Sequence, residues 1–161
     1  MLRFSANLSM LFTEYDFLER FDKAALSGFR GVEFMFPYDN DIEVLKRKLR
    51  DNNLEHTLHN LPAGDWAAGE RGIACIPGRE EEFRDGVAAA IRYARALGNK
   101  KINCLVGKTP SGFSATEIHD TWSKTCAMRQ ICWRKKTFYY LSNLLITLIC
   151  RDSISPALNR R

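Results

Sequence analysis

The feature that most constrains this chain is an alternation of short apolar runs with amphipathic helical runs, sustained from Leu2 to about Thr121. "LRFSANLSM" reads as a first strand. "YDFLERFDKAALSGF" sets Phe17, Phe21, Ala24, Ala25 and Phe29 at helical spacing, with Gly28 placed to end the helix. "GVEFMF" (Gly31 to Phe36) is a second strand. "PYDNDIEVLKRKLRDNN" is a second helix with Asp39, Asn40 or Asp41 as its cap. "LEHTLHNLP" is a third strand ending at Pro62. "EEEFRDGVAAAIRYARALG" is a long helix with Phe83, Val87, Ile91 and Ala94 on one face. "KINCLVG" is a fourth strand. "SATEIHDT" opens another helix, Ser114 and Glu117 forming a capping box. The order β-α-β-α-β-(loop)-α-β-α predicts a parallel α/β sheet with helices packed outside it.

In such folds ligands gather beyond the carboxyl ends of the strands. That directs attention to Asn7, Glu33, His59, Asn60 and Lys108. It also singles out the Gly-rich connection Ala63 to Arg79, with Asp65, Glu70 and Arg71. A connection of that length inside a compact domain is commonly functional. "GDWAAGERG" is no phosphate fingerprint: it lacks the G-x-G-x-x-G spacing and a strand directly before it. His56 and His59 form H-x-x-H on a strand, where residues three apart face opposite sides, so they are not expected to share a metal.

Charge and cysteines divide at the same point. Residues 1–121 hold 16 Lys+Arg against 18 Asp+Glu, a net −2, and residues 122–161 hold 8 against 1, a net +7. The basic character of the chain therefore belongs to its tail, and a nucleic-acid partner is not expected. Cys75 and Cys104 precede Thr121, whereas Cys126, Cys132 and Cys150 follow it at spacings that fit no usual zinc pattern. The odd count and the absence of a signal-peptide pattern point to free thiols in a reducing cytoplasm. The apolar run Thr137 to Cys150 is too short to span a bilayer as a helix and is an aggregation hazard if exposed.

The segments "FSANLSMLF", "GFRGVEFMFPYD", "HTLHNLPAGDWAAGERGIACIPGREEEFRDGV" and "KKINCLVGKTP" resemble the hydroxypyruvate isomerase family, a branch of the xylose-isomerase-like (β/α)8 barrels. The resemblance runs from Met1 to about Thr121 and implies the N-terminal half of a TIM barrel. It implies interconversion of hydroxypyruvate and 2-hydroxy-3-oxopropanoate through an enediol, serving glyoxylate metabolism. The family's two catalytic glutamates and its divalent-metal site belong to the second half of the barrel. This chain is accordingly expected to carry no cofactor, no catalytic residue and no activity of its own.

The expected substrate contacts are Glu33, His59, Asn60, Arg71 and Lys108. Each has a plainer reading beside it. Glu33 is equally an ion-paired acid at the barrel mouth, and His59 a hydrogen-bonded structural histidine. Arg71 is a carboxylate clamp or a loop arginine, and Lys108 a second anion contact or a solvated lysine.

Residues 122–161 break the pattern and are expected to form no domain. They can be written in codons whose neighbouring frame reads as a family-like helix, strand and IEPINHF motif, once a single base is restored. The reading that follows is out-of-frame translation of an isomerase gene. A half-barrel leaves the edges of its first and fourth strands open, which predicts poor solubility or self-association. The alternative is a non-catalytic half-barrel that binds partners or a membrane through its basic, apolar tail.

Overall fold

The computed structural model describes residues 3–134 and 139–142. Its elements run β1 (Ser5–Asn7), α1 (Arg20–Leu26), β2 (Gly31–Glu33), α2 (Ile42–Asp51), β3 (Glu55–Asn60), α3 (Glu80–Ala96), β4 (Lys101–Cys104), α4 (Ala115–Arg134) and β5 (Tyr139–Ser142). The strands follow one another in a sheet of order β1-β2-β3-β4-β5. The pairs β1–β2 and β2–β3 are parallel. Strand, helix and parallel neighbour in unbroken succession is the winding of a (β/α) barrel.

The helix boundaries follow local chemistry. Of the three cap candidates for α2, the structure uses Asp41, whose Oδ1 accepts from the Glu43 and Val44 amides at 2.8 and 3.2 Å. Ser114 and Glu117 form the expected capping box: the Glu117 amide donates to Ser114 Oγ, and Glu117 Oε2 accepts from the Ser114 amide. Helix α1 starts later than the apolar spacing suggests. Residues before it are held in turns, with Arg20 donating to the carbonyls of Leu8 and Tyr15 at 2.8 and 2.9 Å.

Two compact units divide the chain: residues 1–60 with 88–102, and residues 61–87 with 103–161. The first has its own core, in which Ala6, Leu8 and Val32 of the sheet side meet Phe21, Ala24, Leu45, Leu49 and Leu97 of the helices. Phe17, Phe21 and Phe34 pack edge-on or tilted, with ring centroids 5.6 to 5.8 Å apart. Each buried phenylalanine contributes about 1.5–3 kcal/mol of burial, and each ring pair roughly 1 kcal/mol more.

The pairing of β2 with β3 departs from a regular ladder. Gly31 opposes Glu55 and Val32 opposes His56, but Glu33 opposes Leu58, so Thr57 is an extra residue on β3. This bulge resets the alternation. His56 and His59 therefore lie on one side, both buried, with rings stacked 5.2 Å apart at 10°. The expectation that they face opposite sides is corrected by that one inserted residue.

The second unit contains Cys75, Val106 and Ile118, with Ile76 and Trp122 packed against them. Helix α4 crosses Thr121 without a break. Ile118, Trp122 and Thr125 share its inner face, and Thr125 Oγ1 donates to the Ala74 carbonyl at 2.7 Å. Trp122 and Thr125, from the segment expected to form no domain, lie on the packed face of this helix. A helix nucleated at Ser114 adds residues at little cost, and two of them fall on the buried face. The sheet order corrects the expected open edge at β4, since β5 lies next to it. At the other end, Phe4 and Met10, which flank β1, are 71% and 66% exposed. Most of the apolar run Thr137 to Cys150 lies outside the described residues. Among the described residues no helix is long and apolar enough to cross a membrane.

Candidate functional site

The carboxyl ends of β1, β2 and β3 meet in a small niche of about 20 Å³ lined by Asn7, Glu33, Met35, His59 and Asn60, among others. Asn7 organises it. Its side-chain amide donates to Glu33 Oε1 at 3.0 Å, and its carbonyl oxygen accepts from the Ser9 amide. Ser9 Oγ in turn accepts from the Met35 amide at 2.9 Å, tying the turn after β1 to the end of β2. Glu33 Oε2 keeps no protein partner among the described residues, so the acid is held by one oxygen and open at the other. Tyr38 donates to the Asn60 carbonyl, and Tyr93 donates to Asn40 O at 2.9 Å, which fixes the end of β3 from below.

His59 borders this niche and is tied into the fold by both ring nitrogens. Its Nε2–H donates to the Ala90 carbonyl on α3 at 3.3 Å, and its Nδ1 accepts from the Asn99 side chain at 3.3 Å. It is 1% exposed. Both ring nitrogens are satisfied inside the fold, which supports the structural reading of His59, while the residue still borders the niche. The reason is again the bulge, which turns His59 toward α3. His56 lies between Phe34, stacked 4.3 Å away, and His59. It donates from Nε2 to Leu58 O at 3.0 Å, while its Nδ1 is buried without a partner. Burial holds both rings neutral: the His56 pKa falls to about 3, helped by the neighbouring His59, and the His59 pKa to about 4.

The second unit carries the long loop. Arg71 lies flat over Trp66, its Cζ 3.7 Å from the ring centroid. Nη1 donates to the carbonyls of Trp66 and Glu70 at 3.0 and 2.6 Å. Nε and Nη2, the edge that matches a carboxylate, have no protein partner among the described residues. The nearby acids are engaged. Glu70 binds Arg79 and the Asp65 amide, which hold its carboxyl below the usual range. Asp65 Oδ1 accepts from the Ala68 amide at 2.9 Å. Arg79 is itself anchored on Glu82 at the start of α3 by two bonds of 2.7 Å.

The loop is docked to the end of β4 by a bridge between Gly72 and Val106. Gly72 has φ +112, and a Cβ there would stand 2.0 Å from the Leu105 carbonyl oxygen, so only glycine fits. The bridge brings the loop beside Lys108, whose Nζ lies 3.7 Å from where a Gly69 Cβ would be. Arg71 and Lys108 thus stand in one loop cluster. Trp66 is a member of this site that the sequence reading missed. No spacing rule ties a tryptophan to an arginine five residues on in a loop.

A much larger groove, about 880 Å³, runs outside the sheet between α2 and the end of α3. It lies away from the carboxyl ends of the strands; Lys46 pairs with Glu43 within it, and Arg50 and Glu55 pair with Asp51 and Arg3 beside it. It shows no convergent chemistry.

The sequence model of the "Xylose isomerase-like TIM barrel" matches residues 21–130. The chain belongs to this family. The match to the xylose isomerase-like TIM barrels reaches nine residues past Thr121, in keeping with the unbroken helix α4. Hydroxypyruvate isomerase of Escherichia coli is 86% identical over 121 residues, which cover 75% of this chain and 47% of that protein. 2-Oxo-tetronate isomerase of Cupriavidus necator is 44% identical over 127 residues, 79% of this chain and 49% of that protein. A crystal structure described as AP endonuclease, family 2, from Brucella melitensis superposes with a TM-score of 0.84 at 38% identity, covering 97% of this chain and 66% of that one. The chain spans about half the length of the curated relatives it matches.

The xylose isomerase-like resemblance implies a divalent metal, and the described residues do not fit one. No three His, Cys, Asp or Glu residues converge among them. Glu33 is bound to Asn7, Glu70 to Arg79, and both strand histidines face the core. No step is derived through a metal in this chain.

Proposed function

We propose that this chain carries a substrate-recognition part of a hydroxypyruvate isomerase and does not carry its turnover. The reaction moves a proton from C3 of hydroxypyruvate to C2 through an enediol, giving 2-hydroxy-3-oxopropanoate. It needs a base, an acid and an electrophile for the oxyanion. The family's glutamates and metal belong to a part of the barrel beyond the resembling segment, so the residues present bind and orient. Arg71 is the carboxylate anchor, through the Nε and Nη2 edge it leaves open. Lys108 adds positive potential beside it. In the first unit, taken by itself, Glu33, open at Oε2, and Asn60 border the niche at the strand ends and are its candidate polar contacts.

The observation that carries this reading is the open guanidinium edge of Arg71, held in place while the adjoining Glu70 is ion-paired with Arg79. A 2-oxo-tetronate substrate would share the same carboxylate contact. The difference between 86% and 44% identity favours hydroxypyruvate. Cys75, Cys104 and Cys126 are free thiols, which suits a cytoplasmic protein. The exposed Phe4 and Met10 beside β1 favour self-association. Residues 122–161 are read as out-of-frame translation.

The test is a coupled assay of the purified 161-residue chain with hydroxypyruvate, followed in both directions with and without added divalent metal. No turnover is expected under any condition. Turnover above the uncatalysed rate would overturn the division between recognition and chemistry.

A further inference from the structure

We infer that the loop from Pro62 to Arg79 is a self-contained carboxylate receptor, in which Trp66 is the positioning residue that presents the open edge of Arg71. The inference rests on Arg71 as carboxylate anchor and goes beyond it in two respects: it names the residue that aims the anchor, and it holds that binding survives without the catalytic half of a barrel.

Three observations carry it. The first is how completely Arg71 is restrained. One face of the guanidinium is covered by Trp66 at 3.7 Å, and both Nη1 hydrogens are taken by the carbonyls of Trp66 and Glu70. An exposed arginine samples many rotamers, and ordering it opposes binding. Here that ordering is already done, and done so that Nε and Nη2 remain available as a fork for two carboxylate oxygens.

The second is electrostatic. Asp65 and Glu70 flank the arginine in sequence and would repel an anion if free. Asp65 is turned onto the Ala68 amide, and Glu70 is bound by Arg79 and the Asp65 amide. Lys108 stands over Gly69 on the other side. Among the described residues Arg71 and Lys108 are in no ion pair, so the cations of the cluster remain open to an anion while Glu70 is ion-paired.

The third is confinement. Trp66, Glu70 and Arg71, the Arg79–Glu82 pairing that fixes Glu70, and the Gly72–Val106 bridge all belong to one compact unit. Nothing that holds the clamp is drawn from residues this chain lacks. The ligand class is a small 2-oxo or 2-hydroxy monocarboxylate, with affinity on the order of a millimolar Kd for so few atoms.

The experiment is a nitrogen-15 NMR titration of the full 161-residue chain with hydroxypyruvate, and separately with dihydroxyacetone, its neutral hydroxyketone counterpart. The Gly69 and Gly72 amides report in every variant, and the Trp66 indole reports in the wild type. Hydroxypyruvate should shift these signals saturably and dihydroxyacetone should not. Trp66→Phe keeps an aromatic face and should bind within about threefold of wild type. Trp66→Ala should bind about tenfold more weakly, and Arg71→Lys, which keeps the charge without the fork, by a similar factor. Far-UV circular dichroism confirms that each variant is folded.

Binding that is unchanged in Trp66→Ala but lost in Arg71→Ala overturns the role of Trp66 and leaves the anchor standing. Binding indifferent to Arg71 overturns the anchor itself. Equal binding of dihydroxyacetone overturns the carboxylate class. A folded wild type in which these signals do not move overturns the receptor.

Discussion

The stacked pair His56 and His59 should make this fold unusually sensitive to mild acid. Both are neutral in the folded chain, with pKa values of about 3 and about 4, against 6.5 for an unperturbed histidine. A histidine whose folded pKa is depressed binds fewer protons folded than unfolded. Its penalty is absent above pH 6.5, grows as the pH falls below it, and levels off only below the folded value. At pH 5 the unfolded histidine is almost fully charged while the buried one is not, which favours unfolding by about 2 kcal/mol per residue, or about 4 kcal/mol for the pair. That is a large share of a typical 5–15 kcal/mol stability. The assay is urea unfolding followed by circular dichroism at pH 7.5 and pH 5.0. His56→Phe isolates one partner. Phenylalanine can continue the stack on Phe34, it removes the buried Nδ1 that has no partner, and it gives up the bond to Leu58 O. The variant should lose only about half as much stability between the two pH values as the wild type. An equal loss in both proteins would refute the assignment of acid sensitivity to this stack.

Other expectations follow from single positions. Asp41→Ala should cost about 1 kcal/mol in urea unfolding, because two amides at the start of α2 lose their acceptor. Gly72→Ala should cost at least about 2 kcal/mol in thermal unfolding, since it sets a Cβ against the Leu105 carbonyl at positive φ; the same variant should lose hydroxypyruvate binding by NMR. Trp122→Ala should cost about 2 kcal/mol by urea unfolding, because Trp122 packs against the core of the second unit although it follows the break in the sequence pattern. Sequencing the gene across the codons for Thr121 and Trp122 tests the origin of the tail. The frame reading expects a neighbouring frame that continues into a family-like helix, strand and IEPINHF motif.

The order of elements and the caps were legible because they are written locally. Ser114 and Glu117 sit three apart and do in space what that spacing suggests. The cap of α2 was narrowed to three residues, and the backbone chose the one adjoining the first helical turn. The position of Lys108 just after β4 also followed from order alone, whereas Arg71 comes beside it through the Gly72–Val106 bridge. What was not legible depended on register or on loop packing. A one-residue bulge at Thr57 arises from pairing with β2, and it turned the His59 ring toward α3. The stacking of Trp66 on Arg71 is set by a loop conformation that glycines at positive φ permit, and no periodicity announces it. The composition changes at Thr121, but helix propagation from Ser114 carries Trp122 and Thr125 onto the packed face.

The central claim is that this chain recognises the substrate of a hydroxypyruvate isomerase and lacks the means to convert it. The most direct measurement joins residues 1–121 to the remaining half of the Escherichia coli relative, which is 86% identical over 121 residues, and compares its hydroxypyruvate turnover with that of the 161-residue chain. The account expects an active chimera whose KM rises when Arg71 is replaced by lysine, beside a chain with no turnover. A folded chimera without activity, or turnover by the chain alone, would contradict it.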